Sequence, residues 1–334
     1  MLKIYLPVII LLIISGCKTG EIDEISILNE EIRFEVSEHL YLGNQVKAIA
    51  FAGPDHWFFA SGNEITEVIN SQQQIHAAGS PVISMAWNKE EEALWFGTQT
   101  SGLGRLKNGQ ISYFTKESHG LPRTDYIRDV HCDENGEVWF NTSAHKLGGL
   151  GHYKEGNFQF YTPENSLLPD NLIKSISIQG KNVYVATGGY VTQQKLIRIS
   201  GENWELLPVN GYYLMDMAVD RKGIVYIIDD YSLSSAFPNN SGIFVYDGQE
   251  VTKIKPEMAP GYWYNPYLLT TDQRNYLWVA QFRSGAENII LQVYNGKEWI
   301  QPTSFPDVHI HCMAADKANT LWIGTGNGIL KLKQ

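Results

Sequence analysis

Aromatic side chains are concentrated in one short segment of the sequence, beside two prolines. Tyr262, Trp263 and Tyr264 are followed closely by Tyr267, so four rings lie within six residues. Flat aromatic faces stack on sugar rings and on the side chains of partner proteins. The segment therefore predicts a binding platform, and the alternative interpretation is that its rings cover the edge of a sheet.

Other residues suited to ligand binding lie in segments that separate apolar runs, where binding residues are commonly found. Aromatic and charged side chains in these segments would add stacking contacts and hydrogen bonds around the same ligand. Each of them taken alone is also typical of a solvated loop. The predicted ligand-binding residues are Tyr190, Tyr231, Arg283 and Arg123, and Phe282, His145 and Asp125 are further loop candidates.

Charged residues also recur near the start of apolar strands, ten residues before each of seven aromatic anchors. That position is occupied by Lys47, Met85, Asp129, Lys174, Asp216, Leu268 and Cys312. Charges of both signs are unusual at the start of interior strands, so we predict that Asp129 and Asp216 line a polar channel mouth and bind the ligand. Pairing of these charges between neighbouring strands is the alternative.

Three histidines raise the question of catalysis. His309 and His311 alternate along one strand and share a face, and His131 lies on another strand of the same kind. Imidazoles could hold a metal or act as a general base. However, no carboxylate accompanies the pair at a ligand-like spacing, and no Ser-His-Asp set can be ordered. We therefore predict no catalytic residue, no metal and no cofactor.

The elements that must position these residues belong to an internal repeat. The phrase Leu-Trp-Phe-Gly-Thr at 94–98 recurs in variant form along the chain, at intervals of 38 to 52 residues. Such a period is typical of a four-stranded propeller blade. The seven anchors of the repeat are Trp57, Trp95, Trp139, Tyr184, Tyr226, Trp278 and Trp322.

Each repeat predicts four strands, and the last repeat lacks its fourth. Residues 133–136 are one example of the Asp, Asn and Gly turns that favour tight hairpins before the anchor strand. The segment 31–39 parallels the fourth strand at 110–118, so it should complete the last blade and remove an open edge. We predict an all-β fold over 25–334: a seven-bladed β-propeller of four-stranded antiparallel blades, closed by the N-terminal strand.

The N-terminal segment has the features of a targeting signal rather than of part of the fold. Residues 4–14 are almost wholly apolar but too few to span a bilayer. They lead into Ile13-Ile14-Ser15-Gly16-Cys17, which resembles a bacterial lipobox. The resemblance implies a signal peptide at 1–16, lipidation of Cys17, and a tether at 17–24. A plain secretory peptide or an uncleaved core segment is the alternative.

The composition limits the possible partners. The formal net charge is −10, with 26 Lys and Arg against 36 Asp and Glu. Binding to nucleic acid needs a basic face, so nucleic acid is not expected as a partner. A content of 43% hydrophobic and 19% charged residues predicts a folded chain. Three cysteines are too few for a disulfide framework.

The repeat resembles the two-component-regulator propeller repeat of Bacteroides-type hybrid sensors. The shared phrases are Leu-Trp-Ile-Gly-Thr at 321–325, Gly102-Leu103, Tyr113-Phe114-Thr115 and Gly120-Leu121-Pro122. They are strong in blades two, three and seven and loose in blades one, five and six. The 334 residues contain no kinase or DNA-binding segment, so the resemblance implies neither phosphotransfer nor control of transcription.

We therefore expect a non-catalytic, lipid-anchored envelope propeller that acts as a monomer. It would bind a carbohydrate or an envelope protein on its loop face, and the membrane through its anchor. The alternative is a lyase or hydrolase, because the repeat is also similar to that of streptogramin lyases. That resemblance would imply a catalytic histidine at the channel mouth.

Overall fold

The computed structural model of the chain describes residues 32–121, 125–142, 148–188, 194–211, 213–230, 241–255, 264–283, 289–302 and 305–334. The predicted residues Tyr262, Trp263, Tyr190, Tyr231, Arg123, His145 and Cys17 lie outside these ranges. The described part forms strands and one short helix, α1 (Lys116–His119). Within it, no helix has the length and apolar character needed to cross a membrane.

The strands follow one another with short connections. The first ten are β1 (Glu35–Leu40), β2 (Val46–Gly53), β3 (His56–Ser61), β4 (Glu64–Ile69), β5 (Gln72–Ala77), β6 (Val82–Asn88), β7 (Ala93–Thr98), β8 (Leu103–Lys107), β9 (Gln110–Phe114) and β10 (Ile127–Cys132). The next nine are β11 (Val138–Thr142), β12 (Gly149–Lys154), β13 (Asn157–Tyr161), β14 (Ile173–Gln179), β15 (Asn182–Thr187), β16 (Gln194–Ser200), β17 (Asn203–Gly211), β18 (Leu214–Val219) and β19 (Val225–Asp229). The last nine are β20 (Gly242–Tyr246), β21 (Val251–Ile254), β22 (Tyr264–Thr271), β23 (Leu277–Arg283), β24 (Ile289–Tyr294), β25 (Trp299–Ile300), β26 (Ile310–Ala315), β27 (Leu321–Thr325) and β28 (Gly328–Lys333).

These strands form seven antiparallel four-stranded sheets. Six sheets keep chain order, from β2–β5 to β22–β25, and we number them blades one to six. The innermost strand of each blade contacts the innermost strands of the blades on either side, and β26 contacts β2, so the contacts close a circle. The predicted all-β, seven-bladed propeller is confirmed.

The seventh blade is assembled from both ends of the described chain. Its order is β26, β27, β28 and then β1, where His39 lies opposite Leu330 and Leu40 opposite Ile329. Phe34, just before β1, is fully buried and meets the ring of Trp278 in blade six edge-on at 4.7 Å. Closure by the N-terminal strand, predicted from the parallel between 31–39 and other fourth strands, agrees with this sheet.

The acid six residues before the anchor has two tasks in blades six and seven. In blade seven, Asp316 Oδ1 accepts the backbone N–H groups of Ala318 and Thr320, which closes the turn between β26 and β27. Its Oδ2 accepts the indole Nε1–H of Trp322 over 2.8 Å. The acid therefore joins the turn to the buried anchor. The same acid-to-indole bond occurs between Trp278 and Asp272 at 3.3 Å and between Trp95 and Glu91 at 3.1 Å.

The glycine of the repeat is required by close approach between blades. A Cβ on Gly97 of blade two would lie 2.5 Å from the carbonyl oxygen of Ile127 in blade three. A Cβ on Gly324 of blade seven would lie 2.7 Å from the carbonyl oxygen of Val46 in blade one. Any larger residue would push the next innermost strand outward.

The hydrophobic cores lie between blades rather than within them. For example, Phe58 and Ile65 of blade one pack with Leu94 and Phe96 of blade two, and all four side chains are fully buried. Because each sheet buries its faces against its neighbours, no blade is stable by itself. The ring therefore holds the starts of the innermost strands in fixed relative positions.

Candidate functional site

The innermost strands all begin at one end of the ring, which we call the mouth. Each of the seven loses its register with the second strand close to its start, where extra residues form a bulge. Bulges re-aim side chains and are common next to functional sites. The residues in the seven bulges are Lys47, Ile83, Arg128 with Asp129, Lys174, Met215 with Asp216, Tyr267, and His311.

One group of mouth residues bonds each blade to the next. Asp216 of blade five accepts Ser175 Oγ–H of blade four over 3.1 Å and the Leu269 backbone N–H of blade six over 2.8 Å. The Tyr267 hydroxyl of blade six donates to the Ile310 carbonyl of blade seven over 3.1 Å. Asp216 was predicted as a ligand-binding residue, and its described contacts tie three blades together.

The other predicted aspartate has a similar environment. Burial raises the pKa of Asp129 to about 6, opposed by the Arg128 charge and by a hydrogen bond from the Ile176 backbone. Burial also raises the pKa of Asp216 to about 6, and the charge of Asp129 acts in the same direction. Each carboxylate accepts a backbone N–H of a neighbouring blade, from Ile176 for Asp129 and from Leu269 for Asp216. Ligand binding by the two aspartates stays a prediction.

Four rings form an aromatic cluster where blades six and seven meet at the mouth. Tyr267 stacks on Phe282 with ring centroids 4.3 Å apart, and His309 lies 5.9 Å from Phe282. His309 and His311 are 4.7 Å apart, so they share a face as their alternation predicted. Phe282 is 37% exposed, which leaves apolar ring surface open to a ligand.

A cation borders this cluster. Lys47 Nζ of blade one lies 3.1 Å from Nδ1 of His311 in blade seven. Burial, together with the charges of Lys47 and His309, lowers the pKa of His311 to about 4. His311 is therefore neutral at pH 7. Lys47 Nζ lies within 3.5 Å of both ring nitrogens, and an ammonium group can only donate, so the unprotonated nitrogen of His311 is the acceptor.

Two further cations lie at the mouth on blades three and four. Arg128 and Lys174 both occupy bulges, and burial together with the Arg128 charge lowers the pKa of Lys174. A Cβ on Gly188 would lie 2.5 Å from the Lys174 side chain, so the glycine leaves room for the lysine stem. Cations that repel one another in a partly buried site favour an anion between them.

The structure brings together two of the predicted loop residues. Tyr264 begins β22, Arg283 ends β23, and their backbones lie directly opposite each other in the ladder. They therefore belong to the mouth, beside the aromatic cluster. Asp125, by contrast, accepts the backbone N–H of Lys116 with its carboxylate and so holds helix α1 in place.

Sequence reasoning missed Arg128, because the extra residue of a bulge has no signature of its own. The position ten residues before the Trp139 anchor is Asp129. In the structure, the pairing of β10 with β11 is interrupted at both Arg128 and Asp129. In the described ranges, no group of three or more His, Cys, Asp or Glu is arranged to hold a metal ion. The histidine pair has Lys47 beside it, and a cation there opposes metal binding.

Fold and site together define a ring-closed β-propeller whose mouth carries an aromatic cluster, three cations and two buried carboxyl groups, Asp129 and Asp216. Residues 304–327 match the family profile described as "Two component regulator propeller", which confirms the resemblance seen in the repeat. No curated protein matches the sequence.

Solved structures with the same fold belong to proteins of different kinds. A streptogramin B lyase superposes with a TM-score of 0.68 at 16% identity, over 90% of this chain and 97% of the lyase. The extracellular domain of a hybrid two-component system from B. thetaiotaomicron gives 0.64 at 15% identity, over 89% of this chain and 40% of that one. PorZ, a surface component of the type-IX secretion system of Porphyromonas gingivalis, superposes with a TM-score of 0.62 at 16% identity. The match covers 86% of this chain and 46% of PorZ. At these identities the likeness establishes the fold alone.

Proposed function

We propose that the chain is a binding propeller that captures a ligand at its mouth without transforming it. The observation that carries this proposal is the aromatic cluster around Phe282, whose ring is open to solvent at a site bordered by Lys47. Exposed rings next to cations suit a ligand that has both a flat apolar face and negative charge. An acidic carbohydrate chain has both, since its sugar rings stack and its carboxylates pair with cations.

A binding role also fits the protonation states at the mouth. A general base works best when its pKa lies near the working pH. The pKa of His311 is lowered to about 4, and that of His131 is likewise lowered to about 4 by burial, opposed by the Asp216 charge. Both imidazoles are therefore weak bases at pH 7.

A lyase is the second candidate, favoured by the Lys47–His311 contact and by the streptogramin B lyase among the structures of similar fold. It would require the His311 imidazole to exchange a proton with the ligand. Loss of turnover in His311→Gln, on any acidic glycan that the protein binds, would support the lyase. Binding without turnover in the unchanged protein would support simple capture.

We further propose that Cys17 anchors the protein in the bacterial envelope, as the lipobox resemblance implies. The description of PorZ as a surface component shows that one protein of this fold works at the cell surface. In cells, Cys17→Ala should move the protein from the membrane fraction to the soluble fraction. Unchanged fractionation would contradict the anchor.

The binding proposal is tested on the full-length protein with a glycan array that includes polygalacturonate and other acidic polysaccharides. Phe282→Ala should weaken the strongest interaction about tenfold, since a stacked ring contributes roughly 1–1.5 kcal/mol. Lys47→Ala should weaken it and reduce its dependence on salt. The matched controls are Leu206→Ala and Lys107→Ala, which alter exposed residues of outer strands.

Equal binding by the two mouth variants and the two controls would refute the mouth as the site. If no glycan binds, a pull-down tests for a protein ligand. An acidic protein captured by the unchanged protein but not by Phe282→Ala would show that the ligand is a protein rather than a carbohydrate. This design therefore separates the place of binding from the identity of the ligand.

A further inference from the structure

A groove lies between blades three and four, at the end of the ring away from the mouth. Its walls come from the turns that join β10 to β11, β14 to β15 and β16 to β17, and from the strands beside them. The groove has a volume of about 460 Å³. This is within the range of pockets that hold small molecules.

Trp139 lines this groove and differs from Trp95, Trp278 and Trp322, whose indoles each donate to an acid. It is 4% exposed, and its indole Nε1–H is buried without a hydrogen-bond partner among the described residues. Asp133 precedes Trp139 by six residues, as Asp316 precedes Trp322, and its Oδ1 closes the turn through the same two backbone positions. Its Oδ2, however, lies 3.5 Å from Asn135 Nδ2 instead of accepting from the indole. A buried unpaired donor costs about 1–3 kcal/mol, which a bound acceptor would offset.

The residue that pairs with the anchor on the neighbouring strand is also unusual in this blade. In blades two and seven the facing residues are Arg105 and Lys331, whose cations lie over the indole. In blade three the facing residue is His152, and its imidazole stacks flat on Trp139 with centroids 3.9 Å apart. The flat imidazole extends the wall of the groove where blades two and seven place a charge.

Two more rings and a fixed carboxylate complete the groove. Tyr161 of blade three and Trp204 of blade four are half-buried, with centroids 4.8 Å apart and planes at 59°. Glu137 accepts His152 Nε2–H over 2.8 Å and pairs with Lys154 at 2.6 Å, which holds its carboxylate in the groove. Among the lining residues, carboxylates outnumber lysines, so an acidic ligand is disfavoured.

We propose that this groove binds one neutral sugar unit of a carbohydrate chain. The faces of Tyr161 and Trp204 would stack on the sugar, and the Trp139 Nε1–H would donate to a hydroxyl oxygen. Glu137 would accept a hydroxyl proton of the same sugar. This site is independent of the mouth, because it faces the other end of the ring and favours an uncharged ligand.

The test is calorimetric titration of the full-length protein with neutral hexasaccharides: cellohexaose, xylohexaose, laminarihexaose and mannohexaose. At least one should bind, and Trp204→Ala should weaken that binding about tenfold. The matched control is Trp299→Ala, which removes a half-buried tryptophan from the corresponding outer strand of blade six. Trp139→Phe keeps the ring but removes the donor, so it should weaken binding about three- to tenfold.

The result is interpreted only for variants whose melting temperature and circular dichroism match the unchanged protein. If Trp204→Ala fails this check, Trp139→Phe carries the test. The proposal is overturned if none of the four hexasaccharides binds. It is also overturned if binding survives Trp204→Ala and Trp139→Phe but is lost in Phe282→Ala, because the sugar would then be at the mouth.

Discussion

The missing bond of Trp139 can be measured directly as a coupling energy. In blade seven, the variants Trp322→Phe and Asp316→Asn each remove one partner of the 2.8 Å acid-to-indole bond. In blade three, Trp139→Phe and Asp133→Asn change the same positions of the repeat, where the indole has no partner. Asparagine keeps the side-chain oxygen that closes each turn, so the two double-mutant cycles compare indole bonds rather than turns.

The expected coupling follows from the type of bond. A hydrogen bond to a charged acceptor contributes about 1.5–3 kcal/mol, and partial exposure of Asp316 reduces this figure. We expect a coupling free energy of about 1–2 kcal/mol between Trp322 and Asp316. Between Trp139 and Asp133 we expect less than about 0.5 kcal/mol, which is the usual scatter for independent sites.

The assay is thermal unfolding followed by circular dichroism, with urea unfolding as a second measure. For a domain of about 300 residues, 1 kcal/mol shifts the melting temperature by roughly 1.5 °C, so the blade-seven coupling should be measurable. Equal coupling in the two blades would show that Trp139 is bonded to Asp133 like the other anchors. The indole would then not be available to a ligand, and the argument for the groove would fail.

Three more perturbations test the ring and its mouth. Gly97→Ala should lower stability by about 1–3 kcal/mol in urea unfolding, because the new Cβ meets the Ile127 carbonyl; an unchanged midpoint would refute the close approach. Phe34→Ala should cost about 3–5 kcal/mol by removing the buried contact with Trp278, and a loss below about 1 kcal/mol would argue against closure of the last blade. Because the pKa of His311 is lowered in the folded state, the unfolded chain binds the proton first as pH falls. The free energy of unfolding therefore decreases between about pH 6.5 and about pH 4. His311→Gln should therefore lose less melting temperature than the unchanged protein between pH 6.5 and pH 4.5, and an equal loss would contradict the assigned protonation.

Much of the fold could be predicted from the sequence because the recurring positions of the repeat are the ones that form the turns and the packing contacts. The anchor tryptophans, the turn acids and the glycine of the repeat each have a definite structural role, which the structure shows in Trp322, Asp316 and Gly324. The closing strand was predicted from residues 31–39, and β1 covers Glu35–Leu40. These features depend on local sequence and on period, which one chain is enough to display.

The site was harder to predict, because it depends on register and on contacts between distant residues. The bulges at Arg128 and Tyr267 leave no local mark, since one extra residue in a strand looks like any other. Asp216 was expected to face a ligand, and only the fold shows that Leu269, 53 residues later, donates to it. The rings of Tyr262 and Trp263 lie outside the described residues and stay a prediction.

The seven bulges give the mouth a property that ordinary strands lack. A side chain in a bulge is released from the ladder, so its identity is only weakly tied to the pairing of the sheets. Each of the seven blades contributes at least one such position around the mouth, and these positions hold residues as different as Ile83, Lys174 and His311. A library randomised at the sites that make no bond between blades should keep the scaffold intact while changing what it recognises. Relatives could diverge in ligand by the same route, through single substitutions around one rim.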